Sequence, residues 1–364
     1  MTAKPAGFFS AYKQTFKYLI FGLFCLSFLT FIAPHKTLAR QDSGAPECIP
    51  IRMSFIQPWG DEYFPNPRLW RSELLSHQRL GINEVVLQWT LWGTDVSQPV
   101  KLPMWVEAAI RGADESGAKI WFGLRYDPSF IEKLKQNGSA YLHQRLQETS
   151  RLAKALKAQI LYVSSEPNKI FAGWYISDEI DGELLLDSNL RKLVTRYTTQ
   201  TRAILKSILP GPVAISGYTD LNSKPKKLAG HWDKLMSKSS MDILLLQDGL
   251  GAKLMEPYSS RSLHNAVSTA FRKQKHTVIP VVEIFEIDPR TADFKTIPTT
   301  VGTMKSRLKN VRFAPGNPVA LFSLSSHVLK FDNKHSRDIE TFLKQNTKVC
   351  NGIELETANT STPQ

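Results

Sequence analysis

The stretch "FAGWYISDEID" (residues 171–181) shows most clearly the strand pattern from which the fold of this sequence is predicted. Its first half is apolar or aromatic at successive positions, a pattern typical of a parallel strand that is covered on both faces. Three carboxylates, Asp178, Glu179 and Asp181, then follow within four positions, where such a strand ends. Like charges at this spacing repel one another, so the fold must either separate them or hold one of them protonated.

Seven further apolar runs of the same character occur along the chain. The eight runs span residues 51–59, 83–92, 118–127, 171–180, 212–220, 242–251, 277–287 and 318–328. Their near-continuous apolar character indicates strands of a parallel sheet with helices on its outer face. The spacing between successive runs suits one strand and one helix in each unit.

Amphipathic patterns between these runs predict the helices. Asn66 and Pro67 suit the N-cap and first turn of one helix, and Gly81 lies beyond its end. Further helical patterns lie at 103–113, 140–156, 189–208, 227–236, 259–272, 299–308 and 336–344. Eight strand–helix units without a linker predict a single (β/α)8 TIM barrel over residues 48–350. A doubly wound open sheet is the alternative, but the first strand is not followed by a glycine-rich phosphate loop.

The first 39 residues have the pattern of an export signal. Lys4, Lys13 and Lys17 precede an apolar stretch of 15 residues at 19–33, and small residues at 37–39 suit signal peptidase. The apolar stretch is short for a membrane-spanning helix, which favours cleavage after Ala39 over a retained anchor. We therefore expect an exported protein, periplasmic or extracellular, that touches a membrane only if this segment is kept.

Two cysteines, Cys48 and Cys350, lie near the two ends of the expected mature chain. In an oxidising compartment, closure of a barrel would allow a disulfide between them that ties the first strand to the last helix, and two unpaired thiols are the alternative. The polar, threonine-rich residues 351–364 predict a disordered tail.

Composition and charge narrow the class of partner. The chain is 42% hydrophobic and 22% charged, as expected for a globular protein, and its formal net charge is +13. The basic residues are scattered over the predicted helices, which favours a solvated surface, although an acidic glycan would also suit the excess. No nucleic-acid motif accompanies the charge, so we expect no nucleic-acid partner.

Polar and aromatic side chains close the predicted strands, where a barrel of this kind forms its active site. Carboxylates on facing strands, surrounded by indole rings and amides, suit the cleavage of glycosidic bonds, because one acid protonates the leaving oxygen and the other attacks the sugar or activates water. The predicted binding set for a polysaccharide or oligosaccharide is Gln57, Trp59, Gln88, Trp89, Trp92, Arg125, Tyr126, Tyr175, Asp178, Tyr218, Gln247, Asp248, Glu286 and His327. No cofactor and no resident metal are expected.

The alternation of side chains along a strand selects the two catalytic candidates. Trp174 and Ile176 suit the layer between sheet and helices, which turns Glu179 into the barrel with Tyr175 beneath it. Glu179 is therefore the predicted general acid. In the seventh strand alternation does not separate Glu283 from Glu286, and Glu283 is preferred as nucleophile or base because it lies nearer the strand.

Five blocks of sequence together resemble an uncharacterised bacterial family of exported TIM-barrel proteins, a domain of unknown function grouped with the barrel glycoside hydrolases. The blocks are "SFIQPW" (54–59), "LGINEVVLQWTLW" (80–92), "FAGWYISDEID" (171–181), "DILLLQDGLG" (242–251) and "VVEIFE" (281–286). By analogy with the retaining barrel glycosidases, the resemblance implies an acid at Glu179 and a nucleophile at Glu283. One departure is Asp178, because those enzymes usually have asparagine before the acid.

Other roles for the same residues remain open from the sequence. Asp178 and Asp181 suit N-caps of the next helix, and His327 suits a hydrogen-bonded position at the mouth. The amides of Gln57, Gln88 and Gln247 could also hydrogen-bond one another inside the barrel. A catalytically silent barrel that binds glycan during export or assembly of an extracellular polymer is the second function. Metal-assisted hydrolysis is the third; it would use Asp127, Asp178, Asp248 and His327, which have no metal-site spacing.

Overall fold

The computed structural model describes residues 48–60, 63–93, 95–220, 224–291, 294–311 and 317–360, with side chains described as far as residue 352. The expected export signal at residues 1–39 lies outside these ranges. No helix within the described ranges is both long enough and apolar enough to cross a membrane.

Eight parallel strands close into a barrel, as the sequence predicts. Each strand pairs with its sequence neighbours, and the last pairs with the first. The strands are β1 (Ile51–Ile56), β2 (Glu84–Leu87), β3 (Lys119–Gly123), β4 (Phe171–Asp181), β5 (Val213–Tyr218), β6 (Ile243–Gln247), β7 (Thr277–Glu283) and β8 (Val319–Phe322). Closure brings the carboxyl ends of all eight strands to one mouth.

Helices cover the outer face of the barrel. They are α1 (Pro67–Arg79), α2 (Met104–Ser116), α3 (Phe130–Val163), α4 (Pro167–Ile170), α5 (Gly182–Leu186), α6 (Ser188–Ile208), α7 (Pro225–Ser239), α8 (Pro257–Gln274), α9 (Val301–Val311) and α10 (Lys334–Thr360). Asn66 caps α1 by accepting a hydrogen bond from the Arg68 N–H at 2.8 Å, as predicted. α3 begins ten residues before the predicted helix because Gly138, at φ 49°, joins two helical segments across a kink.

Short elements at the mouth extend the strands. Leu91–Trp92 pairs with Arg125–Tyr126, and Phe285–Ile287 pairs with Thr296–Pro298. A π-helix at Ser325–Leu329 follows β8. The apolar runs continue through Leu91–Trp92, Arg125–Tyr126 and Phe285–Ile287, so the sequence predicts these pieces as parts of the barrel strands. Thr296–Pro298 lies outside every run.

Side chains of each strand alternate between two apolar layers. Tyr175 packs inside the barrel, whereas Trp174 and Ile176 pack in the layer between the barrel and the helices. The predicted orientation of β4 is therefore confirmed. The interior layer consists of Met53, Phe55, Val86, Trp121, Tyr175, Ala214, Ile243, Leu245, Ile279, Val281 and Ala320.

The two ends of the barrel domain are linked covalently. Cys48, just before β1, forms a disulfide with Cys350 in α10, with 4.8 Å between their Cα atoms. Asn346 adds two backbone hydrogen bonds to Ile49, at 2.9 and 2.8 Å. The predicted disulfide is confirmed. The helix continues to Thr360, so residues 351–360 of the expected disordered tail are helical, and the remaining tail lies outside the described residues.

Replacing Cys48 and Cys350 together with serine should lower the free energy of unfolding by about 2–4 kcal/mol, because the bridge closes a loop that spans nearly the whole domain. Urea denaturation of the oxidised wild type and the double variant measures the loss. Wild type treated with a reductant should unfold at the same urea concentration as the variant. Equal midpoints for the variant and the oxidised wild type would contradict a stabilising bridge.

Candidate active site

Glu179 lies inside the barrel mouth and is held by two glutamine amides. Gln247 at the end of β6 donates Nε2–H to Glu179 Oε1 at 2.7 Å, and Gln88, just after β2, donates to the same oxygen at 3.3 Å. Neither β2 nor β6 pairs with β4, so the carboxyl group reaches these amides across the barrel interior. Gln57 completes the chain by donating to Gln88 Oε1 at 2.7 Å.

The surroundings of Glu179 suit a carboxylic acid that keeps its proton at neutral pH. Burial raises the pKa of Glu179 to about 7; the nearby charge of Glu283 adds to the rise, and the hydrogen bonds from Gln247 and Gln88 oppose it. Both amides donate to Oε1, so the proton of the neutral form is left for Oε2. The side chain is partly exposed, which leaves it accessible from the mouth.

Glu283 closes β7 next to the loop that follows β6. Its Oε2 accepts the Ala252 N–H at 2.8 Å, and the Gly251 N–H is a second donor. Arg307 of α9 donates to the backbone oxygen of Glu283 at 2.5 Å. Burial raises the pKa of Glu283, while the two N–H groups and the Arg307 charge favour its ionised form. Glu283 is only 4% exposed.

Four aromatic rings form one cluster at the mouth above β1, β2 and β3. The Trp59 ring lies 4.8 Å from both Trp89 and Trp92, and Trp92 stacks on Tyr126 at 4.6 Å. Trp89 is buried and donates its indole N–H to the Pro58 oxygen, whereas Trp59 is 40% exposed. Burial raises the pKa of Tyr126, and the nearby negative charge of Glu179 adds to the rise. Exposed indole faces suit the C–H surfaces of sugar rings.

The other predicted mouth residues lie around these groups. Tyr175 is buried under Glu179 and donates its hydroxyl to Ser216 at 2.8 Å, and the half-buried Tyr218 pairs with Asp181 in the sheet. Glu286 is partly exposed and accepts from the Thr299 hydroxyl at 2.9 Å, and Arg307 lies 3.7 Å from the same oxygen.

His327 is a buried, hydrogen-bonded residue of the π-helix. Its Nε2 lies 2.9 Å from the Thr296 hydroxyl, and its ring stacks on Phe285. Burial lowers the pKa of His327 to about 4, so the ring is neutral at pH 7. This environment agrees with the hydrogen-bonded role considered in the sequence analysis.

Asp178 and Arg125 do not join the mouth, contrary to the sequence-based expectation for them. Asp178 is buried on the helix side of β4, where Arg145 and Tyr197 donate to its Oδ2 at 2.5 and 2.6 Å. Arg125 is 2% exposed and donates to Glu148 at 2.8 Å. Alternation sends position 178 away from the barrel interior, and the buried helical partners hold both charges there.

The three carboxylates at the end of β4 therefore have three different environments. Glu179 points into the barrel, Asp178 pairs with Arg145 in the helix layer, and Asp181 is the N-cap of α5, accepting the Glu183 N–H at 3.0 Å. The predicted capping role is confirmed for Asp181 and wrong for Asp178. Separation onto different faces removes most of the repulsion that the sequence suggests.

The four residues of the metal hypothesis are distributed over separate networks. Asp127 accepts from Tyr141 at 2.8 Å in the helix layer with Asp178, whereas Asp248 adjoins Glu283 and His327 bonds Thr296. Within the described ranges, no three His, Cys, Asp or Glu side chains are grouped so that they could hold a metal ion.

Several site residues were not predicted from the sequence. Arg145, Tyr197 and Arg307 lie in amphipathic helices, where such residues ordinarily indicate a solvated face. Gly251 and Ala252 act through backbone N–H groups, which have no side-chain signal. The two glycines of "DGLG" (248–251) were the available indication that the chain passes close to another group there.

The closed barrel of eight parallel strands with helices on its outer face defines a (β/α)8 TIM-barrel protein with carboxyl groups at its mouth. The chain belongs to the family described as domain of unknown function DUF4434, whose model matches residues 51–316. It is 32% identical over 153 residues to the uncharacterized protein YbcH of Escherichia coli (strain K12). That match covers 42% of this chain and 50% of YbcH, so the chain spans half the length of this relative.

Two solved structures show the same fold. A proposed α-L-fucosidase from Bacteroides thetaiotaomicron VPI-5482 aligns with 88% of this chain and 100% of its own at a TM-score of 0.59 and 16% identity. The exo-β-1,4-mannosidase Op5Man5 from Opitutaceae bacterium strain TAV5 aligns over 83% of this chain and 60% of its own, at a TM-score of 0.53 and 13% identity. At such identities the likeness establishes the fold alone.

Replacing Asp178 with alanine should lower the free energy of unfolding by about 3 kcal/mol, because the buried Arg145 and Tyr197 would lose a charged partner. The matched control is Asp181→Ala, which removes a helix cap and should cost only about 1 kcal/mol. Urea denaturation of both variants measures the difference. Equal losses would show that Asp178 is no more important to stability than an ordinary cap.

Proposed function

We propose that this protein is an exported glycoside hydrolase that cleaves a polysaccharide or oligosaccharide with two carboxyl groups, Glu179 and Glu283. The observation that carries the proposal is the state of Glu179. It lies at the mouth of the barrel, its pKa is raised to about 7, its hydrogen-bonded amides occupy one oxygen, and a second carboxyl group is near enough to raise its pKa. A general acid requires this protonated state at neutral pH.

In the proposed first step, Glu179 transfers its proton from Oε2 to the glycosidic oxygen as the bond from that oxygen to the anomeric carbon breaks. The amide chain from Gln57 through Gln88 fixes the carboxyl plane, and Gln247 holds the same oxygen from the other side. This fixed orientation reduces the reorganisation that the transition state needs. The ionised Glu179 then suits removal of a proton from water.

Glu283 is the proposed partner, as nucleophile or as base. In a retaining reaction, which the family analogy favours, its carboxylate attacks the anomeric carbon and forms a glycosyl ester, and water activated by Glu179 then cleaves that ester. In an inverting reaction Glu283 instead takes the proton of the attacking water. The anomer released first, read by proton NMR, separates the two courses.

The aromatic cluster at Trp59, Trp92 and Tyr126 supports a sugar substrate, since Trp59 is exposed and Tyr126 lies within reach of the charge of Glu179. Two buried guanidinium groups are already bound to oxygen atoms of the protein: Arg125 to Glu148, and Arg307 to the backbone oxygens of Glu283 and Phe285. These two cations are therefore committed to the fold. A glycan screen should accordingly include neutral glucans beside acidic exopolysaccharides.

Export is part of the proposal. The leader pattern at residues 1–39 and the cleavage site after Ala39 support secretion to the periplasm or the cell exterior. The disulfide between Cys48 and Cys350 also supports an oxidising compartment, because such bridges are rare in reducing cytosol.

The second candidate function is a glycan-binding barrel without turnover. The low exposure of Glu283, 4%, favours it, because a nucleophile must reach the anomeric carbon. Such a protein would use the aromatic cluster during export or assembly of an extracellular polymer. It differs from the hydrolase in one observable result, since it binds a glycan without releasing reducing ends.

Replacing Glu179 with glutamine should lower kcat by about 100- to 10,000-fold, because the amide has no acidic proton to transfer. Wild type and variant are compared on a panel of bacterial exopolysaccharides and plant glucans, with reducing ends and glycan binding read in the same samples. Binding should persist in the variant, since the aromatic cluster is untouched. Undiminished hydrolysis by the variant would remove Glu179 from the mechanism.

Hydrolysis should fall as the pH rises through about 7, because Glu179 donates only while it is protonated. It should also fall on the acid side, since Glu283 must be ionised and burial raises its pKa. Profiles of kcat/KM against pH test this. Asp181→Asn is the matched control: burial also raises the pKa of Asp181 to about 7, but this side chain caps α5. If the alkaline limb of the profile disappears in Asp181→Asn, the limb reports the titration of Asp181, and its assignment to Glu179 is wrong.

A further inference from the structure

The loop that follows β6 makes a tight turn beside Glu283. Asp248 Oδ1 accepts the Leu250 N–H at 3.2 Å, which closes the turn, and it also lies 3.4 Å from the Glu283 N–H. Gly249 at the next position has φ +65°, and its carbonyl accepts from Leu254 and Met255. One carboxyl oxygen thus connects the turn to the strand end that carries Glu283.

The far side of the turn holds the Glu283 carboxylate. The N–H of Ala252 lies 2.8 Å from Oε2, and the Gly251 N–H also donates. A Cβ at Gly251 would lie 2.9 Å from Glu283 Cβ, 3.0 Å from its Oε2 and 2.6 Å from the Phe285 oxygen. Only glycine allows the backbone to approach this closely, so the donors depend on the exact path of the turn.

The environment of Asp248 favours a neutral, protonated carboxyl group beside Glu283. Asp248 is fully buried, and among the described residues its Oδ2 has no hydrogen-bond partner. Burial and the charge of Glu283 raise the pKa of Asp248 well above its usual value. Burial and the neighbouring charge favour a proton on Asp248, whereas the N–H groups of Gly251 and Ala252 and the Arg307 charge oppose the rise in the pKa of Glu283.

We propose that Asp248 is a positioning residue for Glu283: its Oδ1 fixes the turn at residues 248–252, and the turn holds the Glu283 carboxylate with the N–H groups of Gly251 and Ala252. The inference rests on the proposed function, in which Glu283 is the second reacting carboxyl group. Asp248 acts on the reaction through the backbone, without contact with substrate.

Three charged or titratable groups face Glu283 from the elements packed around it. Glu179 approaches from β4, Asp248 from the end of β6, and Arg307 from α9. Variants that test the turn must leave Glu179 and Arg307 unchanged, because either group alters the ionisation of Glu283 directly.

The test is a pH titration of Glu283 in the whole protein, followed by carbon NMR of glutamate labelled at the side-chain carboxyl. The Glu283 resonance is assigned by its loss in Glu283→Gln. Asp248→Ala removes the acceptor, and Gly251→Ala pushes the turn away from the carboxylate. Each should raise the titration midpoint by about one pH unit, since a carboxylate that loses backbone donors holds its proton more tightly.

Two further variants make the result specific. Asp248→Asn keeps an acceptor oxygen for the Leu250 and Glu283 N–H groups, so its midpoint should stay near that of the wild type. Gly230→Ala adds a methyl group in α7 where nothing lies within 4 Å, and it should change neither titration nor turnover. If Asp248→Ala does not fold, Gly251→Ala decides the outcome.

The proposal is wrong if the midpoint is unmoved in Gly251→Ala and in a folded Asp248→Ala, or if Asp248→Asn moves it as far as Asp248→Ala does. The titration needs no substrate, so absence of hydrolysis in the wild type would remove the proposed function and leave this result standing. Where hydrolysis is found, the acid limb of the kcat/KM profile should move with the Glu283 midpoint.

Discussion

Desolvation of carboxyl groups at the barrel mouth is the physical constraint on which the site depends. Closure of the eight strands brings Glu179, Asp248 and Glu283 to one end of the barrel, and burial is the largest cause of the raised pKa of each. Charge in such a place is costly unless hydrogen bonds replace water. Each of the three carboxyl groups receives a different set of hydrogen-bond donors, and these differences distinguish their roles.

Glu179 receives two neutral side-chain amides on one oxygen, and burial remains the larger effect, so the acid form persists at neutral pH. Glu283 receives backbone N–H groups and lies near the Arg307 charge, which favours its carboxylate form. Asp248 accepts two N–H groups through one oxygen, which opposes the rise in its pKa, but burial and the charge of Glu283 outweigh them and favour its proton. These different donors separate the protonation behaviour of three carboxyl groups that would otherwise repel one another as like charges.

The sequence predicted the barrel, the strand ends and the direction of Glu179, because strand alternation is a local property that apolar neighbours such as Trp174 and Ile176 reveal. It misjudged Asp178 and Arg125, whose partners come from distant positions in α3 and α6. Arginine in an amphipathic helix ordinarily indicates solvent. Only packing against a buried aspartate turns Arg145 inward.

The repeated strand–helix pattern of the sequence was enough to predict the closed barrel. The two cysteines allowed a disulfide between the ends of the domain, and the structure shows that it forms. Tertiary structure alone decided how the crowded carboxylates divide: Glu179 into the barrel, Asp178 onto Arg145, and Asp181 onto a helix cap. The ionisation of a buried carboxyl group depends on which donors surround it, and those donors lie on strands, loops and helices that only folding brings together.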